Sequence, residues 1–491
     1  MIKSQRTKII AVGVVALILI IAYFAVVQPL VNQVVDDSEE PPTLVEGEVL
    51  GSNNRILLFE HTEKANIQSI EVHNDSGTWT MYRGDDNEFY LKDHEGAPYS
   101  KALLASLVSD AGYTLSMTRV TDNCTDWSVY GLDEASTPAW YVLTNLQGET
   151  HTVYIGDRIP TGAGYYCRYK DRPCVYVLQS SLASTLLVPL ESMITPILTY
   201  PLGTTDYYMV KNFYIANRDD VQISVTFLDE EERAKLAQDS PYLMVYPTNY
   251  GVSTTYETVL QTFMNFVADR AILQGSSTEA IPTEELAKYG LDDPAYEIYF
   301  EYNDIANCVI FSDKTENGTY YAYSFVFNLI AEVSATTVPF LEYDLIQYVD
   351  RPVFQRNIND IGEIRIESPQ VSETFTLVGE GEELIVTQKN GSKPVVQNFR
   401  QFYKTLLSIQ IEDYVPEGTD PASLDCMATF TATARSGAVF EYKFYQYTTR
   451  RALVTINGEG EFYCIVDDVH KMINDTERII KGETVDADAK D

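Results

Sequence analysis

Apolar residues recur along this chain with two spacings, every second position or every third to fourth, and the switches between them predict its elements. From Ile67 to Tyr82 the residues alternate around a turn at Asp75 to Gly77, which predicts a β-hairpin. The same pattern returns in IGEIRIESPQVSETFTLV, which begins at Ile361. Further hairpins are predicted over Trp140 to Ile155, turning near Gln147-Gly148, over Tyr165 to Leu178, and over Thr429 to Tyr445, turning at Ser436-Gly437. Three stripes have the helical spacing: Leu103, Leu104, Leu107 and Val108 after a cap at Ser100; Val259, Leu260, Phe263, Phe266 and Val267 behind a capping box of Thr254 and Glu257; and Phe399, Phe402, Tyr403, Leu406 and Leu407. A closing helix is expected for each unit, punctuated by Val188-Pro189 and Val338-Pro339 in the first two. The expected fold class is therefore α+β, with three related units of antiparallel hairpins and packed helices at 56–202, 203–354 and 355–482, and an acidic tail at 483–491.

Ahead of these units Ile9 to Val27 carries no charge, and as a helix it spans about 28 Å, against a bilayer hydrocarbon core of about 30 Å. Lys3, Arg6 and Lys8 precede the run, and Asp36, Asp37, Glu39 and Glu40 follow it. Residues 9–30 thus read as an uncleaved single-pass transmembrane anchor in the lipid bilayer of the cell membrane, with residues 1–8 cytoplasmic and the bulk extracytoplasmic. Residues 31–55 read as an acidic linker, with Asp36 to Gly51 lacking fixed structure.

The clearest internal echo is Tyr130-Gly131-Leu132-Asp133, repeated as Tyr289-Gly290-Leu291-Asp292, each with a Pro soon after. A worn third copy is read at Tyr414-Val415-Pro416-Glu417. Local physics explains the motif. Gly takes a left-handed conformation at the end of a short helix, and the following Leu contacts the residue five positions earlier, Trp127 in one copy and Leu286 in the other.

Composition narrows the chemistry. A net charge of −36, from 71 acidic and 35 basic residues, repels phosphate backbones and excludes nucleic acid as a partner. Five His stand in no metal-ligand spacing, and neither a phosphate-binding loop nor a nucleophile elbow occurs, so no metal, cofactor or catalytic residue is assigned. The Gly-punctuated stretch Gly156 to Gly164 leads into a strand rather than a helix and reads as a turn. Of six Cys, Cys167 and Cys174 flank a hairpin tip and are the candidate disulfide.

Several of these features, in order, resemble the bacterial family named domain of unknown function 4340: Trp79, Tyr130-Gly131-Leu132-Asp133, Ile155-Gly156 and Gly164-Tyr165-Tyr166 match its pattern over Ile67 to Leu198. A weaker likeness covers Phe213 to Phe354, and the last unit has lost most motif residues. The resemblance implies a non-catalytic extracytoplasmic accessory or interaction protein of a bacterial envelope complex, beside ABC-type transport components similar to those of gliding motility. The alternative is a cell-wall or glycan-binding surface module, motivated by the repeats and by 35 Tyr that can stack on sugar rings. An enzyme is the third reading, and it requires carboxylates or a His converging in a pocket.

Overall fold

The structure is a computed structural model that describes residues 41–489 apart from 238–239 and 417. The expected anchor at 9–30, with residues 1–8 before it, lies outside the described residues. Among those described, no helix is long and apolar enough to cross a membrane. The described chain divides into two compact units, residues 41–95 with 99–193, and residues 96–98 with 194–489.

The first unit is built on an eight-stranded antiparallel sheet. Its strands are β1 (Ile67–Asn74), β2 (Gly77–Arg83), β3 (Phe89–Leu91), β4 (Thr118–Thr121), β5 (Ala139–Asn145), β6 (Thr150–Arg158), β7 (Gly164–Tyr169) and β8 (Val175–Gln179). They lie in the order β3-β2-β1-β5-β6-β7-β8-β4. Helix α1 (Lys101–Gly112) sits between β3 and β4, and α2 (Ser180–Leu186) follows β8. Alternation fixes which face is buried: Ile70, Val72, Tyr141, Leu143, Val153 and Cys167 point into a core that α1 closes with Leu107, Val108 and Ala111. Ser100 caps α1, as the sequence suggests, but Leu103 stays 39% exposed and does not join the stripe.

The second unit holds two more sheets with the same topology. One contains β9 (Lys211–Asn217), β10 (Val221–Phe227), β11 (Tyr242–Tyr246), β12 (Tyr250–Gly251), then α3 (Thr254–Thr262), β13 (Arg270–Gln274), α4 (Thr283–Ala287), β14 (Tyr296–Tyr302), β15 (Ile305–Phe311), β16 (Thr319–Ser324) and β17 (Leu329–Ser334). The other contains β18 (Ile361–Glu367), β19 (Ser372–Val378), β20 (Ile385–Gln388), α5 (Val396–Leu407), β21 (Ile411–Tyr414), β22 (Cys426–Ala434), β23 (Val439–Gln446), β24 (Arg451–Ile456), β25 (Glu459–Ile465) and α6 (Val466–Lys481). Their orders are β12-β11-β10-β9-β14-β15-β16-β17-β13 and β20-β19-β18-β22-β23-β24-β25-β21. Apart from the added β12, each repeats the first sheet strand for strand. Three hairpin strands run to one edge, four more run the other way, and the strand formed between them closes the far edge.

A second repeat lies in how each unit begins. An incoming extended segment pairs with the residues just before that closing strand. Leu58 N donates to Thr114 O (3.1 Å) and Ser116 N to Ile56 O (2.9 Å). In the second copy Leu198 N donates to Phe266 O and Ala268 N to Pro196 O, and in the third Val353 N donates to Ile409 O and Ile411 N to Arg351 O. The boundaries expected at 202/203 and 354/355 therefore fall downstream of the segments that seal the following sheets.

The expected fold class is corrected. The described chain is mostly antiparallel β, four sheets including the small ribbon Val49–Leu50 with Ile56–Leu57, with short helices between them. The transmembrane helix written into that expectation has no described residues behind it. The reason for the lower helix content is local: the predicted stripes yield helices of only nine to twelve residues, and the closing helix expected at Val338-Pro339 is a single 3-10 turn, Pro339–Glu342. Ser253 rather than Thr254 caps α3, accepting from Thr255 N, so the expected capping box does not form. Of the linker expected at 31–55, the described residues 41–55 make fixed contacts: the Glu48 side chain is fully buried, accepting from Tyr176 OH (2.6 Å) and Val45 N (2.9 Å) and paired with Arg119. Burial alone raises a carboxyl's pKa, but these hydrogen bonds and the Arg119 charge outweigh it and hold Glu48 below the usual range.

Candidate functional site: the open face of the first sheet

On the face of the first sheet opposite the core, register brings together residues far apart in sequence. His73 pairs with Thr78 on one side and Trp140 on the other, Trp140 pairs with Tyr154, and Tyr154 with Arg168. Directly opposed residues in an antiparallel sheet share a face, so these five form one row across five strands. His73 stacks on Trp140 with ring centroids 5.2 Å apart, and its Nδ1 lies 2.7 Å from Thr78 Oγ1. The Arg168 guanidinium lies 4.5 Å from the Tyr154 ring centroid and 4.8 Å from that of Trp127, so an aromatic ring packs on each side of it. His73, Trp140, Tyr154, Arg168 and Trp127 are half-buried, and Thr78 is exposed. Two of the three Trp in the chain lie here, and the third, Trp79, is in the core, donating to Val188 O (3.0 Å).

The repeated motif feeds this face. Trp127–Tyr130 is a 3-10 turn capped by Asp126, and Gly131 follows it at φ 66°. Leu132 N donates to Trp127 O (3.0 Å) and Gly131 N to Ser128 O (3.2 Å), the paired bonds of a Schellman stop. Leu291 N to Leu286 O and Gly290 N to Ala287 O repeat them in the second copy. Leu132 and Leu291 are both buried. The Tyr of each motif packs edge-on against a Tyr of the third strand after it: Tyr130 on Tyr166 of β7 at 4.9 Å, and Tyr289 on Tyr321 of β16 at 5.1 Å. Gly131 and Gly156 meet backbone to backbone, since a Cβ on Gly156 would lie 2.3 Å from Tyr130 O. Asp133 turns outward and accepts from Ser136 Oγ, while Asp292 follows the second stop at the surface. The motif thus supplies Tyr130 and Trp127 to the row and anchors the turn that carries them.

Two expectations are corrected. Tyr414 ends strand β21 and pairs with Phe462, so it is no third copy of the motif. The matching place in the third sheet, between β21 and β22, is the 3-10 turn Pro421–Ser423 followed by Leu424-Asp425. Cys167 and Cys174 form no disulfide, and all six Cys are free. Register puts Tyr176, not Cys174, opposite Cys167. Burial pushes both thiols up, so they stay protonated at neutral pH.

The chemistry on offer at the row is stacking, cation–π contact and hydrogen bonding. A separate open cavity of about 660 Å³ includes His151 and Tyr169 in its wall. His151 stacks on Phe59 (4.2 Å), its Nδ1 is 3.0 Å from Tyr169 OH, and burial lowers its pKa below the usual value. Among the described residues no three His, Cys, Asp or Glu side chains converge in a metal-binding group.

Residues 90–271 match the model of the family described as Domain of unknown function (DUF4340), which supports the sequence resemblance at the level of that family. The match starts at β3 in the first unit, spans the row from Trp127 through Arg168, and ends within β13. No curated protein and no solved structure matches the chain.

Proposed function

We propose, taking the match over residues 90–271 as premise, that this chain is a non-catalytic interaction protein working outside the cytoplasm as an accessory of a cell-envelope complex of the ABC-transport type. One observation carries the reading: a sheet face on which Trp, Tyr and Arg, the residues that dominate binding energy at protein interfaces, form a continuous half-exposed row. The uncharged run Ile9 to Val27, with basic residues before it and acidic ones after, supports placement of the described units beyond the membrane. The family resemblance supplies the transport context. Extraction in mild detergent tests it. Permease and ATPase subunits should co-purify with the wild-type chain and fall away from a Trp140→Ala/Tyr154→Ala variant of unchanged melting temperature. Recovery of the bare chain under several gentle conditions overturns the reading.

The same row favours a second reading, a glycan-binding face, because sugar rings stack on Trp and Tyr. A fragment of residues 43–491, which keeps the Glu48 contacts, should then be retained on isolated cell-wall material, and absence of retention counts against it.

A further inference from the structure

Half-buried arginines that lie over aromatic rings recur in this fold, and one of them is treated differently. Arg83 lies over the Phe89 ring, Arg172 over Tyr169 and Arg356 over Phe440. Each of these also donates to a backbone carbonyl: Arg83 Nε to Ile67 O (2.8 Å), Arg172 Nη1 to Leu58 O (2.9 Å) and Arg356 Nη2 to Arg233 O (2.5 Å). Arg168 has two rings, Tyr154 and Trp127, and no acceptor. Among the described residues its side chain makes no hydrogen bond and no ion pair, and its Nε is enclosed without a partner. The acids of the nearby motif turn are engaged elsewhere: Asp126 accepts from Ser128 N (3.1 Å) and Oγ (2.6 Å), Asp133 accepts from Ser136 Oγ, and Asp157 lies against Gly131. A full positive charge therefore stands on this face without a paired countercharge, in a chain of net charge −36. Rings on its flat sides favour the charge but do not neutralise it, and desolvated N–H groups without an acceptor are costly unless something binds them. The matching places in the other two sheets hold Phe325, whose N donates to Cys308 O, and Asn457, whose N donates to Glu441 O, so neither repeats the cation.

We propose that Arg168 receives a carboxylate, the side chain of an Asp or Glu on the protein partner that covers the aromatic row. This rests on the reading of the row as a contact face and names the chemistry that face selects. With Trp127 and Tyr154 on its two flat sides, the guanidinium can form hydrogen bonds only within its own plane, where its N–H groups match the two oxygens of a planar carboxylate. Charge favours a carboxylate over a phosphate group. One guanidinium balances one carboxylate, whereas the second charge of a phosphate meets no other Arg or Lys in the row of Thr78, His73, Trp140, Tyr154 and Arg168. Trp140 and Tyr154, uncharged and next to it in the row, exclude water from the pair once the partner is seated, which strengthens the attraction. The two rings also hold the guanidinium in place beforehand, so little rotamer freedom is lost on contact.

The test is selection of displayed random peptides on the full chain in detergent micelles, followed by a double-mutant cycle. Peptides retained by the wild-type chain and released by the Trp140→Ala/Tyr154→Ala variant should share an Asp or Glu. Replacing that acid by Gln should weaken binding to the wild-type chain about tenfold or more. On Arg168→Gln the same replacement should change binding by less than about twofold, because the pair is already broken. Arg168→Lys keeps the charge but not the planar fork and should bind the acidic peptide severalfold more weakly than wild type, and phosphoserine in place of the acid should bind no more tightly. If Arg168→Gln fails to fold, the Arg168→Lys chain and the change made in the peptide carry the comparison. Retained peptides without a shared acid, an equal loss on wild-type and Arg168→Gln chains, undiminished binding to Arg168→Lys, or tighter binding of the phosphoserine peptide each overturns the carboxylate and leaves the row standing as a contact face. Absence of any peptide released by Trp140→Ala/Tyr154→Ala counts against the contact face itself and overturns the carboxylate with it.

Discussion

The first and third sheets share a strand order but not a surface. Where the first carries Thr78, His73, Trp140, Tyr154 and Arg168 in one row, the third carries Thr374, Arg365, Thr431 and Glu441. Its charges are paired off along their own strands, Arg365 with Glu367 (2.5 Å) and Lys443 with Glu441 (2.6 Å). The cores stay alike, since Ile364, Phe430, Tyr442 and Val454 fill the buried side of the third sheet as Ile70, Tyr141 and Val153 fill that of the first. Folding therefore constrains one side of each strand and leaves the other free. In the first sheet that freedom has been used for contact groups, and in the third for a solvated lattice of Thr and ion pairs.

Four perturbations sharpen or break that contrast. The largest effect is expected at Asp475, buried between α5 and α6. It accepts from Thr405 Oγ1 (2.8 Å) and pairs with Lys471 (3.2 Å) and Arg478 (3.1 Å). Asp475→Ala takes the carboxylate from the buried Lys471 ammonium and from Thr405 Oγ1, and should cost about 3 kcal/mol or more in denaturant unfolding. If the contact function resides in the first sheet, partner capture at low temperature should survive it. Next, Trp140→Ala should cost about 2 kcal/mol of partner binding, roughly a 30-fold loss in Kd, whereas Thr431→Ala at the matching place should change binding by less than about 0.5 kcal/mol. Equal effects from the two would end the distinction between the faces.

Smaller still is the difference between the two motif glycines. Gly131→Ala meets Asp157 N at 2.9 Å as well as an unfavourable φ, and should cost about 2–3 kcal/mol. Gly290→Ala meets only Ser312 Cβ at 3.7 Å, and should cost about 1 kcal/mol from φ alone, by thermal melting. The smallest effect is one of pH. Burial raises the half-buried Asp350 carboxyl from its ordinary value to about 6. The native state then holds this proton more tightly than the unfolded chain, so stability falls as pH rises from about 4 to about 6 and is level above that. Asp350→Asn should flatten that part of the stability–pH curve without changing the first sheet's binding.

What the sequence disclosed follows the range of the interactions. The motif stop was legible because everything it needs lies within six residues: a Gly at positive φ, a Leu, and an apolar residue five positions back. The hairpins at Asp75 to Gly77 and Ser436-Gly437 were legible for the same reason. The aromatic row was not, since His73 meets Trp140 only through the register of β1 on β5. One signal was present: Trp140, Tyr154 and Arg168 have the opposite phase from buried Tyr141, Val153 and Cys167, so an outward set could have been read from the alternation. The Cys167 reading failed because a hairpin tip does not reveal which partner its turn selects, and Tyr414 was misplaced because an isolated Tyr resembles the motif without its Gly.

The entry segments that pair ahead of β4, β13 and β21 have a consequence for anyone who cuts the gene into pieces. The second and third modules are finished by chain, Pro196 to Leu198 and Arg351 to Val353, that an observer of the repeats alone would assign to the preceding module. A fragment starting at residue 355 would lack the backbone donors and acceptors of Arg351 and Val353 and leave Ile409 and Ile411 exposed at a raw seam. One starting a few residues before Arg351 carries its own fastening.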